Sequence, residues 1–363
     1  MPTLQRQKIE QYLCRRFGAD TELVAFGPIG RETSGLALKQ YGYGAPIRLT
    51  FRTGRTLRRV VLETMSPGPF GHEHKADRAQ ALLWDFDSYG RLPQHVPALD
   101  VGAFTSAGAL FSVAPAQEFF VLTDWAEGAS YHADLERLSR TGRLQKGDKD
   151  RTRALAGYLA KIHRVKRREP DLYRRRLREL LGHGECIMGL TDSYPRRFGF
   201  ITEDLLRSIE ENCNRWRWAL RHRAGRLAQV HGDFHPWNVL FRCGTDFSVL
   251  DRSRGEWGEP ADDVTAMTIN YLFFSLCRWG RLQGPFEVLF REFWERYLAA
   301  SRDRAVLECA APFFAFRGLV IASPLWYPKL SLQVRRSLFN FIQNVLAEER
   351  FDPAEVNRYC QYP

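Results

Sequence analysis

The chain reads as an α+β protein in two lobes, a small N-terminal lobe on an antiparallel sheet and a larger, mostly helical C-terminal lobe. Three observations lead there. The 363 residues exceed what one compact core accommodates. Between Leu23 and Thr64 the apolar residues come in short runs set apart by glycines, the pattern of strands and turns. From about Asp150 onward, apolar and aromatic residues recur at helical spacing.

In order, Leu4, Ile9, Tyr12, Leu13 and Phe17 predict a leading helix that ends at Gly18. Runs 23–26, 36–38, 47–51 and 60–62 predict strands, with a tight turn at Gly54. A helix over 72–89 follows from Ala76, Ala79, Leu82, Leu83 and Phe86. Pro93 and Pro97 break the connection after it, and 111–113 and 119–123 read as two further strands. Leu155, Leu159, Ile162 and His163 mark an amphipathic helix over 150–166, and residues 171–222 supply more helices with basic faces. The apolar stretch from Ala311 to Trp326 is broken by Arg317 and Pro324, so it predicts a buried helix rather than a membrane span.

Composition narrows the function. With 44% hydrophobic and 26% charged residues the chain is globular, and it holds no run of eighteen apolar residues. Residues 1–6 lack the apolar core of a signal peptide, which predicts a cytoplasmic protein with no membrane partner. Seven scattered cysteines without a Cys-x-x-Cys pair argue against a zinc site or a disulfide framework. The net charge of +11, with arginines clustered over 164–178 and 215–226, raises a nucleic-acid partner; solvated helix faces with long Arg stems over apolar surface are the preferred reading. The same charge disfavours a polycationic acceptor through long-range repulsion, although a local acidic pocket would override it.

The chemistry concentrates in Val230-His231-Gly232-Asp233-Phe234-His235-Pro236-Trp237-Asn238, followed by Phe247-Ser248-Val249-Leu250-Asp251. An Asp, an Asn five positions on, and a second Asp ending an apolar run match the parts of kinase-type phosphoryl transfer. The transferred group carries spread negative charge, so the site must supply cations and a fixed line of approach for the nucleophile. Hard Mg²⁺ prefers oxygen ligands and keeps waters and phosphate oxygens as partners, so one carboxylate and one amide suffice from the protein. Asp233 is then the base or orienter, and Asn238 and Asp251 are the metal ligands. His231 joins Asp233 in the candidate catalytic pair, chiefly as a brace for the loop. His235 either touches a phosphate or supports the turn before Pro236.

His-Gly-Asp-x-His-x-x-Asn followed by Leu-Asp resembles the aminoglycoside phosphotransferase / choline kinase family, small-molecule kinases with a protein-kinase-like fold. Gly258-Glu259-Pro260-Ala261-Asp262-Asp263-Val264 resembles the segment that follows the metal Asp in that family. The resemblance implies ATP and Mg²⁺ as cofactors and the hydroxyl of a small molecule as acceptor. It implies a nucleotide-binding lobe over 1–124, a hinge over 125–128 and a catalytic and substrate lobe over 129–363. Asp124 and Trp125 stand where the hinge backbone meets the adenine. It places a phosphate-cradling glycine loop at Gly27 and Gly30; Gly42 to Gly44 is the competing position. His163 resembles a structural His at a helix end, and Asp263 an Asp that orients the catalytic loop.

One departure stands out. Glu63 occupies the place of the usual third-strand cation, so Arg59, Lys39, or a swapped pairing of Glu63 with Lys75 or Arg78 must replace it. Without a replacement the chain is a pseudokinase-type nucleotide-binding scaffold. Arg252 and Arg254 beside Asp251 also depart from the family pattern; they either bind an anionic group or neutralise Glu256, Glu259, Asp262 and Asp263.

Overall fold

The computed structural model describes residues 4–29, 44, 46–68, 70–91 and 93–362. The chain divides into two compact units, Met1–Thr123 and Asp124–Pro363. Gly30, Lys39, the expected 36–38 strand and Gly42-Tyr43 lie outside the described residues.

In the first unit, helix α1 (Arg6–Phe17) precedes β1 (Thr21–Pro28), β2 (Ile47–Thr53) and β3 (Thr56–Leu62), an antiparallel sheet in the order β1-β2-β3. Thr53 pairs with Thr56, and the two-residue turn between them needs Gly54 at a φ of +55°. Ile9 and Leu13 of α1 bury against Leu23, Leu49 and Phe51, with the Phe17 and Phe51 rings 4.9 Å apart. The pleat turns Val60 and Leu62 toward this core and leaves Arg59 and Val61 exposed. Helix α2 (Lys75–Ser88) starts where the His74 N–H donates to Asp77 at 2.7 Å, and it buries none of its residues.

Three expectations change here. Gly27 stands inside β1 paired with Arg48, because the ladder runs on to Pro28 opposite Ile47; it is a strand residue, not a loop residue. A short hairpin, β4 (Gly102–Phe104) with β5 (Leu110–Ser112), includes a strand that the Pro-broken stretch gave no sign of. The strand expected over 119–123 does not form: Phe120, Val121 and Leu122 are 92%, 85% and 89% exposed. Alternation proposes a strand, but only a partner ladder makes one, and these residues pair with none of the described strands.

The second unit begins with β6 (Ala129–Ser130), α3 (Tyr131–Thr141), α4 (Lys146–Ile162), α5 (Pro170–Gly182) and α6 (Ile187–Ser193). A small hairpin of β7 (Arg197–Phe198) and β8 (Ile201–Thr202) leads into α7 (Glu203–Leu220). Then come β9 (Ala228–Gln229), β10 (Val239–Phe241), β11 (Phe247–Val249) and β12 (Trp257–Gly258). The chain closes with α8 (Pro260–Trp279), α9 (Gly284–Ser301), α10 (Ala310–Ala322), α11 (Leu332–Ala347) and α12 (Val356–Tyr359).

Helix α8 is the central rod of this unit, buried nearly from end to end, as expected of a helix apolar all round. It packs against α9 and α10, and α10 packs on α11. The last approach requires Gly318, where a Cβ would fall 2.7 Å from Ile342 Cγ1. Trp294, Phe314, Phe341 and Phe351 fill the space between these helices, edge against face or tilted. Among the described residues no helix is long and apolar enough to cross a membrane. Two antiparallel ribbons, β9 with β12 and β6-β10-β11, flank the segment from Val230 to Asn238.

Candidate functional site

Between β9 and β10 the chain from Val230 to His235 has no regular structure, and a 3₁₀ turn at Pro236–Asn238 returns it to the sheet. Such a loop cannot hold side chains in place by its own ladder, so outside groups must do so. Asp263, in the first turn of α8 and wholly buried, accepts the His231 N–H and the Gly232 N–H at 2.7 Å each. His163 Nε2 lies 3.1 Å from the same carboxylate, and its Nδ1 lies 2.8 Å from the Tyr297 hydroxyl. Burial pushes the Asp263 carboxyl up, but the His163 and His231 hydrogen bonds outweigh it and hold the group below its ordinary value. His163 and Asp263 thus occupy the bracing positions expected of them.

His231 is 3% exposed, and its Nδ1 accepts the Asp233 N–H at 3.3 Å. Burial lowers its pKa, which keeps the ring neutral and suits a brace rather than a cation. Gly232 has a φ of +88°, and a Cβ there would sit 3.2 Å from Arg254 Cβ. Only glycine fits that bend without strain.

Asp233 has both carboxylate oxygens engaged. Arg317 Nη1 donates to Oδ1 at 2.5 Å, and His235 Nε2 lies 3.4 Å from Oδ2. Burial opposes the charge, yet His235 and Arg317 together hold the carboxyl well below the usual carboxylate range. His235 Nδ1 also accepts the Trp237 N–H at 3.3 Å, so this ring supports the turn while facing Asp233. Asn238 Nδ2 donates to the Asp233 carbonyl at 3.0 Å, which orients the amide. The Leu250 N–H donates to the Asn238 carbonyl at 2.9 Å, and Val239 pairs with Val249. Asn238 and Asp251 therefore stand at the same end of the β10–β11 hairpin. Asp251 is exposed and sits at a φ of +53°, a left-handed conformation that non-glycine residues rarely adopt and that clusters at functional sites.

The structure separates the two arginines that flank this hairpin. Arg252 donates to the Val230 carbonyl at 2.8 and 3.1 Å and to the Glu256 carbonyl at 3.3 Å, a backbone brace. Arg254 lies over the Phe316 ring at 4.7 Å, donates to Cys186 Sγ at 3.3 Å and comes no closer than 3.9 Å to Glu185. The aromatics near the loop divide as well. Trp237 stacks on His132 at 4.1 Å and stays 37% exposed, whereas Tyr271 is fully buried and bonds Tyr131.

Gly27 has no neighbour within 4 Å of a Cβ, Arg59 is exposed on β3, and Asp124 is exposed. Trp125 is 85% exposed and bonds Glu127. No group of three His, Cys, Asp or Glu able to hold a metal occurs among the described residues. Two surface grooves of about 560 and 630 Å³ contain none of the expected site residues.

Residues 50–308, more than two thirds of the chain, match the model of the phosphotransferase enzyme family. The chain belongs to that family. The resemblance drawn from the His-Gly-Asp segment is thereby borne out, and the protein is a phosphotransferase. No curated protein matches the sequence. Among solved structures, amicoumacin kinase hAmiN in complex with AMP-PNP, Ca²⁺ and Ami is similar at 15% identity, covering 93% of this chain and 92% of that one, with a TM-score of 0.41. A choline/ethanolamine kinase family protein from Mesorhizobium loti is similar at 14% identity, 98% and 96% coverage and a TM-score of 0.36. Plasmodium vivax ethanolamine kinase is similar at 11%, 93% and 80%, and 0.35.

Sequence reasoning missed one residue of the phosphotransferase that touches Asp233. Arg317 reaches the loop from α10, 84 positions downstream. Its signal was a lone charge inside an apolar helix, read only as a break in a hydrophobic run.

Proposed function

We propose that this phosphotransferase moves the γ-phosphoryl group of ATP to a hydroxyl of a small molecule. The observation that supports this best is the chain of ties from the Asp233 carbonyl to Asn238 Nδ2 and from the Asn238 carbonyl to the Leu250 N–H. It ties Asn238 to the Asp233 backbone and to Leu250, the residue before Asp251. Asp233, held ionised, accepts the hydrogen bond of the acceptor hydroxyl and fixes its line of attack. A loose transition state asks little of a base, so a weakly basic, firmly held carboxylate suits the task.

The donor set fits Mg²⁺: an amide oxygen from Asn238, whose Nδ2 is already committed, and the exposed carboxylate of Asp251 are both hard oxygen ligands. Held by these two residues, Mg²⁺ would supply positive charge against the phosphate group. Arg59, exposed on β3, is the candidate for the strand cation that Glu63 does not supply.

The test is a screen with labelled ATP over sugars, amino alcohols, nucleosides and hydroxy acids, read as transfer of label to the acceptor. Transfer by the wild type that vanishes in Asp233→Ala and Asp251→Asn supports the reading. Binding of ATP with no transfer to any hydroxyl would make the protein a nucleotide-binding scaffold instead.

A further inference from the structure

We infer that Arg317 is a positioning residue of the transfer reaction, fixing Oδ1 of Asp233 while His235 faces Oδ2, so that the carboxylate keeps one direction toward the acceptor hydroxyl. The inference rests on the kinase reading of Asp233 and deepens it. Arg317 is 6% exposed and lies in the middle of α10, a rigid, buried helix. Its Nη1 donates to Asp233 Oδ1 at 2.5 Å, and its Nη2 donates to the Gly232 carbonyl at 2.9 Å and to Asp262 Oδ1 at 2.6 Å. Its guanidinium lies 4.5 Å from the centre of the neighbouring Phe316 ring.

One planar fork therefore joins three things: the Asp233 side chain, the backbone just before it, and the first turn of α8. A lysine, with a single compact ammonium on a flexible stem, could not satisfy the three acceptors in fixed directions. The arrangement complements Asp263, which holds the N–H groups of His231 and Gly232. Arg317 holds the carbonyl of Gly232, so the peptides leading into Asp233 are pinned on both sides.

The plain alternative is that Arg317 only neutralises the half-buried Asp262. Stability alone does not call for that, since replacing a buried ion pair by apolar groups is often neutral or favourable. Nor would it account for the bond to Asp233, whose loop has no regular structure of its own to aim a carboxylate.

The experiment uses the full chain and Mg²⁺-dependent hydrolysis of [γ-³²P]ATP, with water in the acceptor's place, alongside the thermal midpoint. Arg317→Met is expected to lower kcat about 100-fold, the cost of a small misplacement of a reacting group. The KM for ATP is expected to stay within about twofold, because the loss falls on the transition state rather than on binding. Arg317→Met combined with Asp262→Asn removes one of the two carboxylates that lose their cation; it should raise the midpoint toward the wild type and leave kcat low. Arg317→Lys should recover part of kcat. Recovery of kcat together with the midpoint in the double variant, or a rise in KM for ATP at unchanged kcat, overturns the positioning role and leaves the kinase reading standing. A wild type that transfers phosphate to neither water nor any hydroxyl acceptor removes the kinase reading, and the role of Arg317 with it.

Discussion

Asp263→Asn isolates the device that holds the segment from His231 to Asp233. The native carboxylate is wholly buried and accepts two backbone N–H groups at 2.7 Å, with His163 Nε2 at 3.1 Å. Asparagine keeps one acceptor oxygen but turns an NH₂ group toward the other backbone donor. That N–H is then buried without a partner, at about 1–3 kcal/mol, and the surviving bond drops from charge-assisted to neutral, losing about 1 kcal/mol more. The sum is about 3 kcal/mol. For a unit of this size it corresponds to a fall of about 6–12 °C in the thermal midpoint of the C-terminal unit. Because the unit carries most of the tryptophans, intrinsic fluorescence during thermal and urea unfolding reads it directly. Transfer activity per folded molecule should fall as well, since the same two N–H groups set the direction in which Asp233 leaves the loop. A midpoint within about 1 °C of the wild type would refute the reasoning, because no relaxation of a buried acceptor facing two donors could hide a loss of that size.

Three further outcomes follow from the same geometry. Acid unfolding should show the Asp263 carboxylate: its folded pKa lies below the ordinary 3.8, so its stabilising contribution is complete above that value and lost as pH falls through the folded one. Asp263→Asn should then lose less stability than the wild type between about pH 4 and pH 2, measured by denaturant titration at each pH. Asp251→Asn should raise the Mg²⁺ concentration for half-maximal transfer at least about tenfold without shifting the thermal midpoint, as expected of an exposed side chain; an unchanged Mg²⁺ requirement would dismiss it as a ligand. Gly318→Ala should destabilise by about 1–3 kcal/mol through overpacking against Ile342, and pairing it with Ile342→Val should restore part of the loss in chemical denaturation.

Sequence by itself determined the elements with strong local signals. The α1 and β1–β3 pattern was legible because alternation and turn glycines are local, and Gly54 sits at the φ that only a residue without a Cβ adopts easily. Asp233, Asn238 and Asp251 could be proposed together as a candidate set because one loop and one hairpin hold all three within twenty residues. Tertiary structure decided what depends on partners distant in the chain. Whether 119–123 became a strand depended on a neighbour to pair with, and whether Gly27 ended a strand depended on how far β2 ran beside it. Arg252 and Arg254 have the same charge and lie two residues apart, yet one grips backbone carbonyls and the other lies over Phe316. Arg317 is the sharpest case: its meaning comes from two carboxylates 84 and 55 residues away, brought to it by the packing of α10 on α8. Local patterns encode conformation because dihedral preferences and side-chain alternation act over a few residues. The pairing of buried charges is written only in the packed interior, where each must find its partner or not be charged at all.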